Sequence, residues 1–151
     1  MSADAEITII NPAYRRGLRE PHRSILLAAG RVLIGVLFAY FGFLKLTNWG
    51  GSVAYFSKWG FSWAPSLGAG LAVLFELGGG VLLIAGWKTR WVAAALVPYL
   101  AATVLIVHTY WTYEQAQVFN QMSHFYKNLA IMGAMLCIAA VGPGRYSVDK
   151  A

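Results

Sequence analysis

Four long apolar runs, over residues 24–46, 66–87, 91–111 and 125–142, constrain this chain more than any other feature it carries. A bilayer core about 30 Å thick, crossed at 1.5 Å per residue, needs roughly 20 apolar residues, and each run is close to that length. No strand-like alternation competes with them. A lipid-exposed backbone must also satisfy its own hydrogen bonds, which a helix does within one segment. The expected fold class is an all-α integral membrane protein, a four-helix transmembrane bundle. The tryptophans agree with these boundaries: Trp49, Trp59, Trp63, Trp87, Trp91 and Trp111 all fall at the ends of the runs or between them. An amphipathic indole suits the headgroup region.

Charge points the same way, because 12% Asp, Glu, Lys and Arg is about half the roughly 25% of a soluble domain. The net charge of +6 is dispersed over loops and not gathered into a basic face, which argues against nucleic acid as a partner. The single cysteine, Cys137, excludes an internal disulfide, a CxxC pair and a cysteine-rich metal site, and it reads as a packing residue. No metal site is expected. Residues 1–23 form a polar, basic segment, and the apolar run behind it is too long for a cleaved signal peptide, so it should act as an uncleaved anchor.

Orientation follows from the basic residues. Arg15, Arg16, Arg19 and Arg23 precede the first run, Lys88 and Arg90 join the second and third, and Arg145 and Lys150 lie in the tail, 143–151. Lys45, Lys58 and Lys127 are on the other side. The positive-inside rule then places both termini in the cytoplasm. The first outer loop carries Val53, Phe56 and Trp59 at helical spacing before Pro65, which predicts a short interfacial helix. The second, TYEQAQVFNQMSH, is rich in amides and either extends the third helix or lines a polar mouth.

Charged groups within a span are informative because each costs about 2.5–3.5 kcal/mol at a helix centre. Arg31 lies about 10 Å and Glu76 about 16 Å from the cytoplasmic end, a difference a guanidinium can cover, so an Arg31–Glu76 ion pair is expected. The pair either fixes helix packing or leaves Glu76 as a catalytic, proton-handling group. Toward the outer side gather Lys45, His108, His124, Lys127 and Asn128. His108 reads as a second catalytic candidate, able to relay a proton or hydrogen-bond a quinone. Haem ligation would need His124 at a matching depth, and structural hydrogen bonding is the plain alternative. Lys45, Lys127 and Asn128 are candidate ligand-binding residues, although Lys127 could simply snorkel. Gly35, Ala39 and Gly42, Gly79, Gly80 and Gly86, and Ala130, Gly133, Ala134 and Cys137 supply small residues for close helix approach. Pro98 should kink the third helix.

Several segments in order resemble the DoxX family of small four-helix bacterial membrane proteins. They are Arg31 with FGFLKL closing the first run, FELGGGVLLIAGWKTR, QMSHFYKNLAIMGAML and the terminal GPGRYSVD, together covering 31–149. By residue the likeness falls on Arg31, Gly42, Lys45, Glu76, Gly79, Gly80, Gly86, Arg90, Lys127, Asn128, Gly133 and Asp149. The family includes the small membrane subunit of a thiosulfate:quinone oxidoreductase and members tied to redox-stress complexes. The resemblance therefore implies a membrane subunit associated with a quinone-linked oxidoreductase, with quinone as the expected cofactor and none intrinsic to the chain. Membrane lipids and a protein partner or second copy are the expected partners. A non-catalytic anchor or assembly factor is the alternative, and a small-molecule permease a third reading for which four helices offer little room.

Overall fold

The computed structural model describes residues 20–59 and 61–149, and within these it is helical with no strand. Of the basic segment expected over 1–23, residues 1–19 lie outside the described residues, as does Lys150. Five helices follow in order: α1 (Glu20–Thr47), α2 (Trp49–Lys58), α3 (Pro65–Ala85), α4 (Thr89–Ile106) and α5 (Gln115–Val141). All but α2 belong to the four segments long and apolar enough to cross a membrane. The short helix predicted between the first and second runs is α2. Its start is set by Asn48, whose side chain accepts from the Gly51 N–H at 3.3 Å and so satisfies one of the free donors of the first turn.

Of the two alternatives for the amide-rich segment, extension of the third helix does not occur, whereas His124 from its end does line a cavity. The amide-rich residues begin α5 at Gln115, well before the apolar run at Phe125, and do not extend α4. The α-helix of the third span stops at Ile106, and a short 3₁₀ turn, Tyr110–Thr112, completes it. Tyr113 closes this corner by donating from its hydroxyl to the Val107 carbonyl at 2.8 Å. The helix continues through Pro98.

Helix α1 packs along α3, and α4 along α5, with α3 joining the two pairs through its Gly79–Ala85 half. The α1–α3 contact is close because both helices lack bulk where they meet. A Cβ on Gly42 would collide with the Leu77 backbone, and one on Gly80 would collide with the backbone of Ala39. The expected small-residue stripe of α5 does not take part: Gly133 has nothing near its Cβ position, and Cys137 is exposed. The core of Phe38, Leu83, Ala93, Leu96, Leu100 and Met135 draws on all four long helices.

One end of the bundle is tied together by polar contacts. The hairpin between α3 and α4 turns through Gly86 at φ +73°, a left-handed conformation that favours glycine, and Lys88 at φ 50°. Asp149 returns from the tail to accept from the Lys88 and Thr89 N–H groups at 2.8 and 2.7 Å, serving as a remote cap for α4. The Arg90 guanidinium donates to the Val141 carbonyl at the end of α5. These bonds hold the carboxyl of Asp149 below the usual carboxylate range, the N–H of Thr89 contributing first and that of Lys88 next.

Candidate ligand cavity

The opposite end of the bundle is hollow. A cavity of about 740 Å³ opens between the long helices and α2, with Phe38, Phe41, Phe56, Trp59, Phe75 and Tyr99 among its aromatic walls. Every candidate site residue of the sequence analysis except Arg31 lines it: Lys45, Glu76, His108, Lys127 and Asn128, together with His124.

Glu76 occupies a π-helical turn, Leu74–Gly78, inside α3. Such a turn adds a residue to the helix and re-aims the side chains around it, and these turns are frequent at functional sites. The Glu76 carboxylate is held from two sides. Lys45 Nζ approaches Oε2 at 2.5 Å, and the Tyr99 hydroxyl donates to Oε1 at 2.5 Å. The Tyr99 ring lies flat on Phe75, with centroids 5.2 Å apart and 9° between planes, so the phenol is fixed in direction. Ser52 of α2 donates to the Lys45 carbonyl at 3.0 Å and ties the short helix to this cluster.

The expected Arg31–Glu76 ion pair does not form. Arg31 reaches the hairpin end, donating to the carbonyls of Leu83 at 2.5 Å, Ile84 at 2.9 Å and Tyr146 at 2.5 Å. The reason is the antiparallel register. With Gly35 against Gly80 and Gly42 against Leu77, Arg31 falls opposite the last turn of α3, and Lys45, three residues beyond Gly42, falls beside Glu76. The last turn of a helix leaves carbonyls unpaired at the negative end of its dipole, a ready partner for a guanidinium.

Nearer the mouth, His108 Nδ1 lies 2.8 Å from Gln121 Oε1 and His124 Nδ1 lies 3.0 Å from Lys127 Nζ. The two imidazoles stack, with centroids 5.1 Å apart and 15° between planes. Trp59 stacks on Tyr113 at 5.1 Å, bringing the end of α2 against the corner between α4 and α5. Burial, then Tyr113, then Glu76, push the Tyr55 phenol up to about 12, so it stays a hydrogen-bond donor at neutral pH. Asn128 is the unusual member. It is only 8% exposed and lines the cavity, yet among the described residues its side-chain amide has no hydrogen-bond partner. Amides packed between helices ordinarily find partners, so this one, on the cavity wall, is free to serve a bound molecule.

Tyr99, Tyr55 and Ser52 were not singled out from the sequence. For Tyr99 a signal existed: a phenol in mid-span, directly after Pro98, needs a partner. The π turn had no such signature.

With the geometry in view, comparison with known proteins becomes informative. The DoxX family model matches residues 26–109. The chain belongs to the DoxX family. The match contains Arg31, Lys45, Glu76, Tyr99 and His108, whereas Lys127 and Asn128 lie beyond it on α5. This DoxX protein is similar to the inner membrane protein YphA of Escherichia coli, 35% identical over 128 residues, 85% of this chain and 91% of that one. It is also similar to the inner membrane protein YqjF of the same organism, 32% identical over 120 residues, 80% of this chain and 86% of that one. A more distant likeness, 27% identity over 128 residues, joins 85% of this chain to 34% of the ER-derived vesicles protein ERV29 of Saccharomyces cerevisiae. No solved structure matches at a significant level. With four spanning helices and inner-membrane relatives, this DoxX protein is a multi-pass inner membrane protein.

Proposed function

We propose that this DoxX protein is the membrane subunit of a quinone-linked oxidoreductase, and that its cavity receives the quinone ring. The Asn128 amide is the observation that carries this reading, because it lies on a residue only 8% exposed, makes no hydrogen bond among the described residues and lines an aromatic-walled space. Ligand sites are typically apolar clefts of about 300–1,000 Å³ with a few placed polar groups, and a cavity of about 740 Å³ with one polar cluster fits that description. A quinone, when bound, supplies reversible two-electron, two-proton chemistry. The chain's own residues supply position and protons. Asn128 would donate to a ring carbonyl oxygen, and Lys127 places a positive charge at the mouth. The linked Lys45, Glu76 and Tyr99 hold an exchangeable proton over two short hydrogen bonds.

The excess of basic residues around the hairpin end supports an orientation with that end in the cytoplasm and the cavity toward the outer leaflet. Purification in mild detergent with native partners, followed by mass spectrometry of proteins and extracted lipids, tests the function. Near-stoichiometric quinone is expected with the native chain and should be lost in a folded Asn128→Leu variant. A co-purifying enzyme with no quinone in the native preparation would replace this reading with that of an anchor.

A further inference from the structure

A second hollow adjoins the first. It is an apolar groove of about 210 Å³ lined by Leu74, Gly78, Gly79, Leu82, Val92 and Leu96, with Phe75 and Ala95, which also line the large cavity. The groove runs between α3 and α4, which pack together through the Gly79–Ala85 half of α3, and Leu74 at its edge is 64% exposed on the lipid-facing surface. Its glycines differ from those of the α1–α3 contact. A Cβ on Gly78 would meet only a Leu74 methyl at 3.8 Å, and one on Gly79 would meet Leu96 at 3.4 Å. They border the groove, whereas Gly42 and Gly80 let backbones touch.

We infer that this groove is a tail subsite: a hydrocarbon chain attached to the ring in the cavity passes between Phe75 and Ala95 and lies against Gly78 and Gly79, reaching the bilayer sideways. The inference rests on the quinone reading of the cavity and adds the ligand's class, an amphiphile with a ring head and a single long apolar tail. Size permits it, since an engineered cavity of about 150 Å³ already admits benzene. The groove carries no charged or amide side chain, so nothing in it could serve a polar head. A chain gains little by exchanging lipid for aliphatic protein surface, so the groove acts through shape. It admits one tail while the polar cluster holds the head. The π turn that carries Glu76 to the cavity also carries Leu74, Phe75 and Gly78 of the groove, so one turn contributes to both the head and the tail site.

The test uses the full chain in nanodiscs and two probes, a tailless dimethoxy-methyl-benzoquinone and the same ring bearing a decyl chain. Quenching of tryptophan fluorescence reports binding, since Trp59 lines the cavity. Gly78→Leu and, independently, Val92→Phe fill the groove from its two sides without touching the cavity lining. Each should weaken the decyl probe by roughly tenfold or more while leaving the tailless ring within about twofold. Equal loss of both probes, or no loss of either, in whichever variant folds would overturn the tail subsite. Failure of the native chain to bind even the tailless ring would overturn the cavity reading beneath it.

Discussion

Lys45→Met removes the cation from Glu76 while keeping the length and apolar stem of the side chain. Breaking a buried pair by removing one partner costs about 3–5 kcal/mol, because the remaining charge is stranded. Two features reduce that here. The Lys45 side chain is 27% exposed against 11% for Glu76, so the pair is not fully desolvated, and Tyr99 still donates to the carboxylate. A hydrogen bond to a charged group is worth about 1.5–3 kcal/mol, so the expected net loss is about 2–3 kcal/mol. At roughly 2–4 °C per kcal/mol for a chain of this size, the melting temperature should fall by about 4–12 °C. Adding Glu76→Gln removes the stranded charge and should recover most of the loss, leaving a deficit near 1 kcal/mol. The assay is a double-mutant cycle on thermal unfolding in one detergent, followed by intrinsic fluorescence, with Arg31→Met as the third corner of a control cycle against Glu76→Gln. Coupling should appear between positions 45 and 76 and be absent between 31 and 76. Additive losses at 45 and 76, or strong coupling of 31 to 76, would refute the pairing on which the cavity chemistry rests.

Gly42→Ala should cost about 1–3 kcal/mol through forced separation of α1 and α3, whereas Gly133→Ala should be neutral or slightly stabilising, both read as shifts in thermal unfolding. Asp149, whose folded pKa is depressed, contributes stability that is present above its unfolded value near 3.9 and lost as pH falls through the lower folded value. The melting temperature of Asp149→Asn should therefore lie below that of the native chain at pH 7, and the gap should close on acidification below about pH 4. A C-terminal fluorescent-protein fusion should glow and an alkaline phosphatase fusion at the same point should be inactive; the reverse pattern would invert the proposed orientation.

Hydropathy, tryptophan placement and the cost of charge in lipid were enough to reveal four helices, a tight basic hairpin and the residues worth watching, because each depends on one segment and its solvent. The fourth helix shows the limit of that reasoning. The apolar run sets where a helix can lie in lipid, and the polar residues from Gln115 onward remain free to continue it into water. The choice of partner for Glu76 shows a deeper one. Depth estimates from two separate runs permitted Arg31, but an ion pair needs angular register as well as depth. Contacts of Gly35, Gly42 and Gly80 with the facing backbone set that register and bring Lys45 to the carboxylate. Tyr99, the π turn around Glu76 and the unpartnered Asn128 amide are facts of the same kind. Segment composition determined which groups had to be hidden from lipid, and helix packing alone decided which of them meet, because a contact between helices is specified by surfaces far apart in the chain.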